Sequence, residues 1–151
     1  MLQRILDANR LIGQWRSNRP RHSKDAQQLA RDLIERHGTA AIVTPVVIEF
    51  LGGTRDKNEL TLARTFLHEF RVVDEGRILA EDFVQARALA ERIPHDSRSR
   101  GFADCLIRAI ADRLHYDVDT ADTGMPRSLP RPSARKLRQL GKNSPRKKGR
   151  A

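Results

Sequence analysis

The chain has 151 residues, 38% hydrophobic and 32% charged, which suits one soluble domain with room for a real core. It excludes a membrane-spanning protein, because no apolar run approaches the roughly 18 residues such a span needs. Its single cysteine, Cys105, excludes an internal disulfide framework and a CxxC zinc site. The five histidines show no HxxxH or HExxH spacing, so a histidine-rich zinc site is not expected either. The opening Met-Leu-Gln-Arg-Ile-Leu-Asp has no secretory h-region, and a reducing cytoplasm is the expected compartment.

The elements follow in chain order. Residues 3–7 read as a short buried strand ending in Asp7, and Ala8 to Gln14 as a turn or two of helix. Arg16 to His22 read as a basic loop broken by Pro20. Ser23 is a suitable cap for a helix with Leu29, Leu33 and Ile34 on one face, stopped by Gly38. Ala40 to Val43 form a second strand. Thr44 is expected to cap the next helix, with Pro45 in its first position, ending at Gly52-Gly53. Asp56 to Glu69 predict another helix, and Phe70 to Val73 a third strand. Leu79, Phe83, Ala86 and Ala90 mark an amphipathic helix before Pro94, with Glu81 and Asp82 on its solvated face. His95 to Gly101 are a polar, basic loop. Phe102 to Leu114 predict the last core helix, and Tyr116 to Thr120 the fourth strand.

Charge divides the chain. All 19 acidic residues precede residue 126, and ten of the 29 basic residues follow it. The net charge of +10 therefore belongs to residues 126–151, a Pro-rich stretch whose composition disfavours a packed core, although a short helix over 133–140 remains open. Residues 1–125 are expected to form the folded domain and 126–151 a flexible basic tail.

Strands alternating with helices imply a parallel sheet covered on both faces. Ligands bind along the edge where the strands end and the helices begin. Asp7, Glu49, Asp104 and Asp122 are expected to gather there. Acids so placed repel one another unless a divalent cation such as Mg²⁺ neutralises them, so the pattern points to a metal-dependent site acting on phosphate. Taken singly, each Asp is as readily a helix cap or turn residue. Glu49 differs, because a partnerless carboxylate within the apolar run Val46 to Leu51 would be costly if buried.

Four segments carry a family resemblance: Ile5-Leu6-Asp7-Ala8-Asn9-Arg10-Leu11-Ile12, Val47-Ile48-Glu49-Phe50-Leu51-Gly52, Phe102-Ala103-Asp104-Cys105-Leu106-Ile107-Arg108-Ala109 and Thr120-Ala121-Asp122. In this order and setting the chain resembles the PIN-domain ribonucleases, among them the VapC-type toxins of toxin–antitoxin pairs. The resemblance implies an α/β fold: a PIN-like three-layer α/β/α sandwich with a mostly parallel four- to five-stranded sheet. Three positions depart from the family pattern. Met125 stands where an aromatic is usual, Leu129 is nearly alone where a fifth strand would run, and Arg108 replaces a small apolar residue and must find solvent or an acid.

The resemblance further implies a Mg²⁺- or Mn²⁺-dependent endoribonuclease, held inactive by a cognate antitoxin protein and assembled as a homodimer. Asp7 and Asp104 would bind the principal metal, Glu49 would orient the attacking water, and Asp122 would complete the ligand set. Asn9 and Thr120 would hydrogen-bond behind these acids. Asp119 is a weak reserve ligand. Cys105 is expected in the core, and Trp15 either there or at a partner surface. Arg16, Arg19, Arg21, Arg98 and Arg100 are candidates for positioning RNA phosphates, as are Arg135, Lys136 and Arg138 of the tail. None of them supplies a base-reading code. The alternative is a catalytically inactive PIN-like protein that binds RNA or serves as a scaffold.

Overall fold

The computed structural model describes residues 2–92, 101–121 and 126–127. Four short strands alternate with six helices: β1 (Arg4–Leu6), α1 (Ala8–Asn18), α2 (Ser23–His37), β2 (Ala41–Ile42), α3 (Thr44–Gly52), α4 (Lys57–Leu67), β3 (Arg71–Val72), α5 (Ala80–Glu91), α6 (Phe102–Arg113) and β4 (Asp117–Asp119). The order is the one the hydrophobic periodicity predicts. Helix α1 runs on to Asn18, so Arg16 is helical and the basic loop starts only at Arg19. The last turn of α2 closes on Gly38, whose φ of 69° is the left-handed conformation that glycine adopts without steric cost.

The strands pair in parallel, β1 with β4 and β2 with β3. They form two ladders rather than one continuous sheet, with β1 packed beside β2. The Arg4 carbonyl accepts a hydrogen bond from the Thr39 hydroxyl at 2.7 Å, and the Arg4 guanidinium donates to the His37 carbonyl at 2.9 Å. Side chains thus join the two ladders. A fifth strand near Leu129 would lie outside the described residues.

An aromatic cluster ties the helices together. Trp15 meets Phe50 and Phe66 edge-on at 5.3 and 5.2 Å, Phe50 stacks on Phe66 at 5.1 Å, and Phe66 meets Phe70 at 5.2 Å. Trp15 is therefore a core residue joining α1, α3 and α4, and its indole N–H points to Glu59 at 3.4 Å. Cys105 is buried, as expected.

Three polar details correct the sequence reading. Ser23 and Thr44 are the first residues of α2 and α3, with His22 and Val43 in the cap positions. The Thr44 amide and hydroxyl donate to Asp74 at 2.9 and 2.7 Å, so the acid that restrains the start of α3 comes from the turn after β3. Asp82 is buried at 1% exposure instead of solvated. It accepts the Leu79 amide at 2.9 Å, capping α5, and two bonds from Arg113 of α6 at 2.7 and 2.9 Å. A periodicity count puts Asp82 on the outer face of α5, but α6 covers it.

Arg108 finds its acid. Its guanidinium donates to Asp117 at 3.2 Å and to the Pro126 carbonyl at 2.7 Å, fastening the chain beyond β4 onto α6. The Val118 amide, and then Arg108, hold the Asp117 carboxyl below the usual aspartate range.

Removing a buried acid bonded to a guanidinium costs more than removing a surface charge. Asp82→Ala is expected to destabilise the protein by about 3 kcal/mol. Glu81→Ala, on the exposed side of the same turn, should stay within roughly 0.5 kcal/mol of the parent. Urea unfolding of both variants checks the contrast.

Candidate active site

The β1–β4 register sets the site. Leu6 lies opposite Asp119, so Asp7 and Thr120 leave the two strands side by side. The Asp7 amide donates to the Asp119 carbonyl at 2.9 Å, extending the ladder by one bond. Asp7 then caps α1. One carboxylate oxygen accepts the Ala8 amide and the other the Thr120 hydroxyl, both at 2.8 Å. Asn9 donates to the Thr120 hydroxyl oxygen at 3.0 Å and accepts from the Ala121 amide at 3.2 Å. Asn9 and Thr120 thus have the geometry of groups that orient Asp7, and a buried carboxylate held at both oxygens cannot swing.

Beside this pair lies Asp119, 6% exposed and held by two arginines and a histidine. It pairs with Arg4 at 3.2 Å, Arg10 at 3.0 Å and His37 at 3.0 Å. Arg10 also donates to the Thr120 carbonyl at 3.1 Å. These pairs turn Asp119 away from a metal-ligand role and make it the post behind Thr120. Arg10 was not singled out from sequence. The only signal was a cation one residue after Asn9, which by itself reads as surface charge.

Glu49 and Asp104 come from other elements. Asp104 is in the first turn of α6 and half-buried. Glu49 lies on the outer side of α3, where Val46 and Phe50 face the core while Ile48 and Glu49 face out. The cost of burying a carboxylate in an apolar run is therefore only partial. Glu49 nevertheless feels its neighbours. Partial desolvation, then the Asp7 and Asp104 carboxylates, push its pKa above the ordinary glutamate value. Three acids, from the end of β1, from α3 and from α6, thus bear on one region.

Asp122 lies outside the described residues, as do Arg98, Arg100, Arg135, Lys136 and Arg138. Among the described residues no three acids, histidines or cysteines close into a ready metal cage. The donors still fit a hard divalent cation. Mg²⁺ takes one or two carboxylates and keeps several waters, so it needs no all-protein cage. The mutual repulsion at Glu49 is the charge imbalance such an ion relieves.

A groove of about 640 Å³ is built on the same helices, α1 and α3. Ile12, Trp15, Phe50 and Leu62 give it an apolar floor, and Arg16, Arg19, Arg21 and Arg55 stand around it. Phe50 follows Glu49, and Ile12 lies one turn beyond Ala8 on α1. Arg19 has a left-handed backbone, φ 37°, and its amide caps α1 on the Trp15 carbonyl at 2.8 Å. The groove brings together the three sequence-chosen arginines of this region. It adds Arg55, which sits some 35 residues later in sequence and is bonded to Glu59 at 3.0 Å.

A family model of the PIN domain matches residues 4–128. The chain belongs to the PIN-domain family. Comparison with the curated proteins and with the solved structures gave no match. PIN domains are generally metal-dependent nucleases with RNA-related functions, and this one shows their α/β fold of six helices and short parallel strands. No described helix of this PIN-domain protein is long and apolar enough to cross a membrane.

The raised proton affinity of Glu49 makes stability depend on pH in a stated direction. An acid whose folded pKa lies above its unfolded one binds more protons when folded. The stabilisation is full below the unfolded pKa and is lost as pH rises through the folded pKa. Above that window, without metal, the repulsion is fully present. Glu49→Gln is therefore expected to melt higher than the parent at neutral pH in EDTA. The gap should vanish at acid pH and shrink when Mg²⁺ is added. Thermal melts across pH, with and without Mg²⁺, check this.

Proposed function

We propose that this PIN-domain protein is a divalent-metal-dependent endoribonuclease that hydrolyses RNA phosphodiester bonds, and that it is the toxin of a type II toxin–antitoxin pair. The observation that carries the reading is the convergence of Asp7, Glu49 and Asp104 in a chain of this family. Asp82, Asp117 and Asp119 each pair with an arginine. Glu49 has two acids bearing on it. Such an arrangement works against folding and makes sense where a cation and a phosphate are to be bound.

Asp7 and Asp104 would hold the principal Mg²⁺ or Mn²⁺, and Asp122 would complete the ligand set. When bound, the ion lowers the pKa of water and offsets charge developing on the phosphate oxygens. Thr120 and Asn9 keep the Asp7 carboxylate in one orientation. Glu49, solvent-exposed and with its pKa raised above the ordinary glutamate value, orients the attacking water and takes up its proton. Arg16, Arg19 and Arg21 neutralise backbone phosphates along the groove, and Arg98, Arg100 and the tail residues Arg135, Lys136 and Arg138 extend that contact. The cognate antitoxin inserts a segment near the acids. The protein acts in the cytoplasm as a homodimer.

Purified protein is expected to cut a mixed RNA pool with Mg²⁺ or Mn²⁺ and not with EDTA. Asp7→Asn and Asp104→Asn should each lower the rate about a hundredfold or more while keeping the far-UV circular dichroism of the parent. A folded parent that cuts nothing in either metal would favour an inactive RNA-binding protein. In RNA titrations at several salt concentrations, Arg16→Ala, Arg19→Ala and Arg21→Ala should each reduce the slope of log affinity against log salt by about one. An unchanged slope would remove that residue from the phosphate path.

A further inference from the structure

Arg10 stands at the unfavourable end of its helix. It is the third residue of α1, where the helix dipole favours acids over cations, and the first turn of α1 contains no acid. Helical propensity gives a cation no reason to be there, but its contacts do. The Arg10 amide donates to the Asp7 carbonyl at 3.0 Å. The side chain, 33% exposed, crosses to the end of β4. There its Nε donates to the Asp119 carboxylate at 3.0 Å and its Nη2 to the Thr120 carbonyl at 3.1 Å. A guanidinium is a flat, rigid fork, so these acceptors on successive residues are fixed relative to each other.

This clamp bears on one carboxylate. Asp7 follows β1 and accepts from the Thr120 hydroxyl at 2.8 Å. Thr120 follows β4, and its hydroxyl stays on Asp7 only while its backbone keeps its place. Asp119 has other anchors. Arg10 meets its Oδ1, while Arg4 and His37 meet its Oδ2 at 3.2 and 3.0 Å. Among the described residues, Arg10 alone bonds its side chain to both Asp119 and the Thr120 backbone. Its particular contribution is therefore the seating of Thr120 rather than the neutralisation of Asp119.

We propose that Arg10 is a positioning residue for Asp7: clamping Asp119 and Thr120 to the first turn of α1, it keeps the Thr120 hydroxyl on the Asp7 carboxylate and so raises the affinity of the site for a divalent cation. The proposal rests on the metal-dependent reading above and adds to it a residue that acts through Thr120. Groups that orient a ligand from behind are typically worth about ten- to a hundredfold in metal affinity. The sign of the effect separates this role from plain electrostatics. Arg10 is itself a cation next to the acids, and charge alone would make its removal tighten the binding of another cation. A clamp gives weaker binding, and a surface ion pair gives no change.

The test measures Mn²⁺ binding to the full chain by calorimetry, without RNA, for the parent, Arg10→Ala, Arg10→Lys and Arg4→Ala. Circular dichroism and thermal melts report folding. Arg10→Ala is expected to raise the Kd for Mn²⁺ about tenfold. Arg10→Lys keeps the charge and loses the fork, so it should also bind more weakly, and it decides the matter if Arg10→Ala does not fold. Arg4→Ala removes an Asp119 partner without touching Thr120. It should melt lower than the parent and keep the parent Kd. In RNA cleavage, Arg10→Ala should need about tenfold more Mn²⁺ for its half-maximal rate and approach the parent rate at saturation. A Kd unchanged or lowered in the Arg10 variants would overturn the clamp, and a parent that still cuts RNA would leave the nuclease standing. Equal weakening in Arg4→Ala would also overturn it, making Arg10 one structural ion pair among others. A parent that binds Mn²⁺ and cuts no RNA would remove the nuclease reading while the affinities still decide the clamp. A parent that binds no Mn²⁺ would overturn both.

Discussion

Three residue pairs hold the candidate site together. Arg4, Ile5 and Leu6 of β1 run parallel to Asp117, Val118 and Asp119 of β4, and the register brings Asp7 beside Thr120. Residues more than a hundred positions apart in the chain thereby share a hydrogen bond at 2.8 Å. Slipping one residue would turn every side chain of β4 to the other face and remove Thr120 from Asp7. So short a ladder cannot secure its register by backbone bonds alone. Asp119 adds the restraint, because Arg4, Arg10 and His37 converge on it from β1, α1 and the end of α2.

The electrostatics divide into two regimes. Acids that serve the fold have cations: Asp119 has Arg4 and Arg10, Asp82 has Arg113, and Asp117 has Arg108. Asp82 and Asp119 are buried, where a carboxylate taken out of water needs a donor, whereas Asp117 is exposed and it is its partner Arg108 that is buried. At Glu49 the rule reverses, and its carboxyl is pushed up by two further acids. Groups so arranged suit a function better than they suit stability. The arginines of the groove, with Arg16 and Arg19 on the α1 side and Arg55 on the α3–α4 side, stand apart from this acidic region. A phosphate chain laid across both would meet cations along the groove and acids where a metal would sit.

Much of this was legible before the fold. Asp7 at the end of an apolar strand, Glu49 in the helix after the second strand and Asp104 at the start of the helix before the fourth strand all stand out, since strand-to-helix order in a parallel α/β protein already specifies which edge they share. The roles of Asp82 and Asp119 were not legible. Both sit in patterns that read as solvated, Asp82 among the polar residues of α5 and Asp119 in an Asp-Val-Asp alternation. What buries them is α6 in one case and the Arg4, Arg10 and His37 side chains in the other, and helical or strand period carries no information about such distant partners. Trp15 was ambiguous for the same reason until Phe50 and Phe66 closed around it.

By itself the sequence determined the order and kind of the elements, the family, and three acids set at strand and helix ends. These depend on local period, capping chemistry and residue type, all of which act over a few neighbouring positions. Tertiary structure alone decided which acids are neutralised and which repel, that the arginines of α1 and its following loop share a groove with Arg55, and that Phe83 and Phe102 stack on each other. Those outcomes depend on distances between segments far apart in the chain: stacking and hydrogen bonds need contact, and charge pairs act over roughly ten ångströms at most in salt.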